Sequence, residues 1–337
     1  SASILDGSSE FLNELSAVAL VHAGADCGME VGHRLEMLFQ TDFVRELVVD
    51  ENKPLPKGYL DAVADPVEGK EWEKGTAAEM ANMDTKNILG EEKAVEEVRA
   101  SGEQLINSGL VFKRKYRIGE DDEKVLTQHK VRIVGKELKG ERGKETYAPT
   151  PQLAVILILL AWAFQIGMHI YMIDFDAAFL NGRNPYTMWL RMPVGMRTYN
   201  AAGKELCRLL IGNLYGTTTA GRIWNQVLSE FLTKELGFVP FVTDSCVFKL
   251  VMKGCLLVLW VHVDDCGLVS TSLTMIQHVG RLIKAKFSIK GPEKLKEYLS
   301  MRLLFQDNCM YFDGRSYMRT KLELFGYMNK DGSFKKE

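Results

Sequence analysis

Two stretches of this chain end an apolar, strand-like run in carboxylate. One reads Tyr171-Met172-Ile173-Asp174-Phe175-Asp176-Ala177-Ala178-Phe179-Leu180-Asn181-Gly182, the other Leu259-Trp260-Val261-His262-Val263-Asp264-Asp265-Cys266-Gly267. A carboxylate is costly to bury unless a cation or partner compensates it. Two such strand ends brought together would offer hard oxygen ligands to a pair of Mg²⁺ ions, with Mn²⁺ as a substitute. That pair is the apparatus of phosphoryl transfer from a nucleoside triphosphate. In this reading Asp174 and Asp264 bridge both ions, and Asp265 stands beside them, supporting the field and one ion. Asp176 falls on the same side of the strand as Asp174 by alternation, as an auxiliary ligand or a solvated edge residue. Each segment alone also reads as a plain turn, because aspartate ends strands and Asp-Asp suits a hairpin. The residues by themselves leave both readings open.

The elements that would position these carboxylates are legible in outline. The first segment ends a strand predicted over 169–174, which follows an apolar helix from Leu153 to Phe164. The second belongs to a hairpin, with Cys255 to Val263 as one strand, Asp264-Asp265 as the turn and Cys266 to Ser270 as the return. Between the two, Ile223, Trp224, Val227, Leu228, Phe231, Leu232 and Leu236 fall on one helical face, and Gly237 is placed to end that helix. Thr271 or Ser272 can cap a further helix, whose apolar positions are Leu273, Ile276, Val279, Ile283 and Phe287. A last hairpin, Leu303 to Phe312, turns at Asp307-Asn308. Upstream, Leu110 to Arg117 and Val125 to Gly135 flank a polar turn at Gly119-Glu120-Asp121-Asp122, which predicts a basic hairpin. Residues 68–104 have a helical, exposed composition, and residues 183–218 alternate short strands and turns. The order of strand, helix, hairpin, helix and hairpin describes an α+β fold, an antiparallel sheet with helices on one face.

The bulk numbers fit that outline. The chain has 337 residues, 46% apolar and 26% charged, values ordinary for a globular protein of one large or two smaller domains. Its longest apolar stretch is short of the ~20 residues a membrane helix needs, and no secretory signal opens it. It begins with Ser, as a piece of a longer polypeptide would. Its six cysteines include no CxxC pair and no accompanying His cluster, which argues against a zinc site or disulfide framework and for a reducing intracellular compartment. A net charge of −2 hides an asymmetry: residues 1–112 carry 22 acidic and 9 basic side chains, and the rest carry 22 acidic and 33 basic. The basic excess begins at Lys113-Arg114-Lys115-Tyr116-Arg117, and residues 113–144 hold 11 basic against 6 acidic groups. A polyanionic partner and a solvated basic face both explain it.

Taken together, these motifs resemble reverse transcriptases of copia-type LTR retrotransposons. The family's Asp-Val-Lys-x-Ala-Phe-Leu-Asn-Gly stands here as Asp174 to Gly182, and its Tyr-Val-Asp-Asp as His262-Val263-Asp264-Asp265. Leu214-Tyr215-Gly216, followed by Ala220, Arg222 and Trp224, is similar to its Leu-Tyr-Gly-Leu-Lys-Gln-Ala-x-Arg-x-Trp. Val111-Phe112-Lys113 and Lys130 to Lys136 resemble its fingers hairpin, and Glu145-Thr146-Tyr147-Ala148-Pro149 the segment after it. Pro56 to Met80 resembles its lead-in helix, and Leu295-Lys296-Glu297-Tyr298-Leu299 continues the match, which runs in order from about residue 56 to about residue 325.

The resemblance implies a right-hand polymerase. Residues 56–105 would be a helical lead-in, 106–150 and 183–218 the fingers, 151–182 and 219–312 a palm with an antiparallel sheet packed against helices, and 313–337 the start of a thumb. Residues 1–55 would be an extension of unassigned role. The implied activity is Mg²⁺-dependent addition of dNTPs to a primer on an RNA or DNA template, within a Pol polyprotein and, by family habit, a cytoplasmic virus-like particle, with no membrane partner. By the same resemblance Asp174, Asp264 and Asp265 are catalytic, and the Phe175 carbonyl joins them on the metals. Phe179 is the steric gate against a 2′-hydroxyl, Lys130 and Arg132 bind the triphosphate, and Gly216 leaves room for the nucleotide. His262 stands where the family has a Tyr against the primer end, Thr219 where it has Gln, and Ser300 where Gly is common; the stretch between Lys136 and Glu145 is shortened. These departures keep a second reading in play, an inactive or repurposed copy that only binds nucleic acid or protein.

Overall fold

The structure is a computed structural model that describes residues 54–118, 124–137, 144–299, 301–306, 309–329 and 332–334. The extension up to residue 53, the hairpin tip at 119–122, most of the shortened stretch (138–143), Ser300 and the turn at Asp307-Asn308 lie outside the described residues. In chain order the first elements are α1 (Tyr59–Val63), α2 (Gly69–Thr85), β1 (Leu89–Ala94), α3 (Val95–Ser101), β2 (Gln104–Ile118) and β3 (Lys124–Gly135). Then come α4 (Leu153–Gln165), β4 (His169–Phe175), a 3₁₀ turn at Ala178–Asn181, β5 (Met188–Arg191), β6 (Leu206–Leu210) and α5 (Ala220–Glu230), which runs on through a π-helical turn at Phe231–Glu235. The last are β7 (Val239–Pro240), β8 (Val247–Met252), β9 (Cys255–His262), β10 (Asp265–Ser270), α6 (Leu273–Lys286), β11 (Ile289–Lys294), β12 (Glu297–Tyr298), β13 (Met301–Gln306), β14 (Cys309–Asp313) and α7 (Arg315–Leu324). The described chain divides into two compact units, each assembled from separate stretches: a carboxylate unit of 150–175 and 238 onward, and a hairpin unit of 54–149 and 176–237.

The carboxylate unit is built on an antiparallel sheet in the order β11-β4-β10-β9-β8-β7. Its strands alternate in period two, so Ile170, Val258 and Val269 share one face, and Ile173, Leu259 and Leu268 share the other. The first face packs on Ile156, Leu159, Leu160 and Ala163 of α4 and on Leu295, Tyr298 and Leu303. On the second face Phe175 meets Phe287, just past α6, edge to face at 5.7 Å, and α6 buries Met275, Ile276, Val279 and Ile283. Helices therefore cover both faces, where the sequence pattern predicts one. Both faces of β4, β9 and β10 are apolar, so neither could be left to solvent. Ser272 caps α6 as expected, its Oγ accepting from the Met275 N–H at 3.3 Å.

The hairpin unit holds a five-stranded sheet in the order β1-β6-β5-β2-β3, with β2 parallel to β5. The expected basic hairpin is β2–β3, paired from Ser108↔Gly135 to Ile118↔Lys124 with a bulge at Lys115/Tyr116. One of its faces is apolar, and α2 lies against it through Trp72, Thr76, Glu79 and Met83, a 4-3-4 spacing that makes one helical stripe. A buried ionic clasp fastens the helix start to the hairpin. Glu68 accepts Arg114 Nε and Nη2 at 2.8 and 2.7 Å and meets His129 Nε2 at 2.7 Å. Trp72 packs against this clasp, its ring edge-on to His129 at 4.3 Å. Residues 89–94, helical by composition, form strand β1 instead and pair with β6; Leu89 and Ala94 are buried there, and that packing overrides intrinsic propensity.

Candidate functional site

The three predicted carboxylates fall within the carboxylate unit. Asp265 opens β10 and pairs directly with Asp174 of β4 on one side and with His262 of β9 on the other. Lys290 of β11 pairs with Asp174 from the far side. Lys290, Asp174, Asp265 and His262 therefore form one row across four strands, with their side chains on one face. The Phe175 N–H donates to the Asp264 carbonyl at 2.8 Å. That bond brackets the Asp174–Asp265 pair and makes it the non-hydrogen-bonded kind, in which Cα atoms approach to about 4.5 Å and side chains crowd.

The local sequence dictates this row. Two and four residues back from it the same face carries Gly267, Met172 and Trp260, then Val269, Ile170 and Val258. Apolar packing thus anchors the strands and leaves their ends polar. The Trp260 indole lies over Gly267, where a Cβ would come within 1.9 Å of the ring, so only glycine fits. Tyr298, buried edge-on against Trp260, also meets the His262 ring at 6.2 Å.

The hairpin turns one residue earlier than the sequence suggests. Val263 and Asp264 form the two-residue loop, and Asp265 is already paired in β10. Val263 takes φ 57°, a left-handed conformation a β-branched residue rarely adopts. Asp176 does not continue the alternation of Asp174, because β4 ends at Phe175 and Ala177 turns left-handed at φ 50°. Phe175 is buried as a whole residue, its ring against Phe287, and the main-chain carbonyl is its one group with metal-ligand chemistry.

The electrostatics of the row are those of crowded like charge. Burial, then the charges of Asp264 and Asp174, push the Asp265 carboxyl up to about 6. Asp174 is partly relieved by Lys290, whose Nζ donates to Oδ2 at 3.1 Å in an exposed pair. Among the described residues no three His, Cys, Asp or Glu side chains by themselves enclose a metal ion. The donor set nevertheless fits Mg²⁺, which takes one or two carboxylates, keeps waters and completes its shell with substrate phosphates.

The other expected residues lie in the hairpin unit. Lys130 and Arg132 sit two apart on β3, on the face opposite the buried Val131 and Ile133. The Arg132 guanidinium stacks over the Tyr215 ring at 4.5 Å, and the Phe179 ring lies 5.2 Å from the same ring at 43°. Gly216 has φ 81°, and a Cβ there would come within 2.1 Å of the Gly135 carbonyl oxygen. The volume its missing side chain leaves is thus filled by backbone, which ties the loop to the end of β3, where the Gly135 N–H donates to the Tyr215 carbonyl at 2.7 Å. Thr219 is buried at the start of α5. The pairing of Lys290 with Asp174 and the contacts of Tyr215 with Arg132 and Phe179 are not legible in the sequence, since strand register and loop placement create them.

The chain is also similar to known proteins. The family profile described as reverse transcriptase (RNA-dependent DNA polymerase) matches residues 98–334. The chain is 26% identical over 217 residues to the retrovirus-related Pol polyprotein from transposon RE1 of Arabidopsis thaliana, covering 64% of this chain and 14% of that protein. It is 25% identical over 216 residues to the corresponding polyprotein from transposon RE2 of the same plant, covering 63% and 14%. The chain thus spans about a seventh of the length of these relatives. Among solved structures it resembles the RNA-dependent RNA polymerase of bacteriophage phi12 (TM-score 0.30, 10% identity, 63% of this chain and 44% of that one). It also resembles apo telomerase from Candida tropicalis truncated from its C-terminal domain (TM-score 0.31, 8% identity, 73% and 60%). With the family profile matching well over half its residues and taking in both carboxylate segments, the chain belongs to the reverse transcriptase family of RNA-dependent DNA polymerases.

Proposed function

We propose that this chain is the fingers-and-palm portion of a copia-type retrotransposon polymerase, which extends a primer with dNTPs on an RNA or DNA template. One observation carries the reading: Asp174 and Asp265 are a direct cross-strand pair, with Asp264 in the tight turn beside them. Asp174, Asp264 and the Phe175 carbonyl would hold Mg²⁺, with Asp265 supporting. Two such ions, when bound, supply charge neutralisation at the attacking and leaving oxygens.

The chain's own residues do the rest. His262, next to Asp265 in the row, can donate a hydrogen bond to the primer end. Phe179 presents a ring to the sugar and excludes a 2′-hydroxyl. Lys130 and Arg132 make charge-assisted hydrogen bonds to the triphosphate. The basic hairpin holds the template-primer through its phosphates. Further segments of a Pol polyprotein would accompany this one.

Primer extension on an RNA template with Mg²⁺ tests the reading. Asp264→Asn is expected to cut synthesis by more than about 100-fold, beyond what loss of an outer-shell partner costs. Unchanged synthesis in that variant would remove Asp264 from the ligand set. A wild-type chain that binds RNA without extending a primer would instead support the repurposed copy.

A further inference from the structure

We infer that Tyr215 is a positioning residue for substrate selection, joining the sugar gate and the triphosphate contact into one stack. The inference deepens the proposed function and rests on its reading of Phe179 and Arg132. The Tyr215 ring has Arg132 over it at 4.5 Å and Phe179 against it at 5.2 Å. These three residues come from a strand, a loop and a 3₁₀ turn, and all belong to the hairpin unit.

The tyrosine is held from behind. Its carbonyl accepts the Gly135 N–H at 2.7 Å, three residues along β3 from Arg132, and Gly216 lets the loop approach the Gly135 carbonyl closely. Phe179 is in turn fixed by its short turn: Asn181 Nδ2 donates to the Ala178 carbonyl at 3.0 Å, and Lys86 Nζ donates to Asn181 Oδ1 at 2.7 Å. A guanidinium over an aromatic face keeps its N–H edge free for phosphate, because the stacking uses the plane and not the donors. A phenylalanine braced on a second ring cannot swing away from a 2′-hydroxyl without losing that contact. Tyr215 thus sets the position of two recognition groups without itself touching substrate.

The predicted effect is a joint one. Tyr215→Leu should raise the KM for dTTP about tenfold, the loss of roughly one cation–π contact, with kcat changed less than about threefold by the same reasoning. It should also reduce discrimination between dTTP and UTP by a similar factor, and Tyr215→Phe, which keeps the ring, should preserve both. Steady-state primer extension with poly(rA) and oligo(dT) reads these values. Direct titration of the same chains with dTTP and with UTP in Mg²⁺ gives a readout that needs no synthesis. If wild type extends primers and Tyr215→Leu leaves sugar discrimination unchanged, the inference is wrong and the polymerase reading stands. The inference is equally wrong if Tyr215→Phe loses as much as Tyr215→Leu. If wild type makes no DNA, the polymerase reading fails, and the titrations decide: tighter dTTP than UTP binding that Tyr215→Leu abolishes supports the stack, and any other pattern overturns it.

Discussion

Asp265 is a carboxylate that folding makes harder to ionise. Its value near 6 lies above the usual 3.8, so the folded chain holds this proton more tightly than the unfolded chain does. The group therefore costs nothing below the usual value. The cost grows as pH rises from there to about 6 and is full above it. Replacing it by asparagine should stabilise the Mg²⁺-free protein at pH 7.5 by about 1 kcal/mol, a figure reduced from the full linkage value because the side chain is partly solvated. The gain should vanish below the usual carboxylate range. Urea melts of Asp265→Asn and wild type at the two pH extremes measure it, and an equal difference at both would show that charge crowding is not the cause. The three carboxylates are legible in the sequence because aspartate at the end of an apolar run is conspicuous. Lys290 is not, since nothing in Ile289-Lys290-Gly291 distinguishes a residue that register sets beside Asp174. The sequence pattern misplaces the turn by one residue because Asp-Asp suits a loop better than Val263 does, and the strand pairing outweighs the strain at Val263.

At the scale of elements, the Glu68–Arg114–His129 clasp decides how firmly α2 holds the hairpin that carries Lys130 and Arg132. Its side chains are at most 12% exposed, so removing one partner strands a charge away from water. Arg114→Met should cost about 3 kcal/mol, within the range for breaking a buried pair. Adding Glu68→Gln to it should recover part of that loss, because the stranded carboxylate is then gone. Equilibrium denaturation reads both variants, and a single substitution costing under about 0.5 kcal/mol would mean the clasp is solvated. The hairpin, the capped helix and the apolar helix before β4 are all readable from period and capping. Strand β1 and the two-sided covering of the carboxylate sheet are not. The first is decided by a partner strand more than a hundred positions away, as in Leu89↔Leu210, and the second by apolar runs whose period does not say which helix covers which face.

At the scale of the molecule, charge is distributed by sequence position: the 33 basic side chains after residue 112 outnumber the 22 acidic ones there. RNA affinity should therefore fall as salt rises, with a log–log slope of about −0.7 for each phosphate neutralised on a single strand. Filter binding across a salt series gives the slope, and a flat line would deny the basic hairpin any role in holding template. Both units are also discontinuous, and the carboxylate unit leaves off at residue 175 to resume at 238. Strand β4 ends at Phe175, and its partner β10 begins only at Asp265. A ribosome adding ~5–20 residues per second would need several seconds to emit what lies between. Throughout that interval the nascent β4 and the apolar α4 have no sheet to join. The fold that aligns two aspartates across one ladder thus obliges its host to shelter an unpaired greasy strand during every round of translation, and holdase chaperones should be found on stalled chains ending between these two strands.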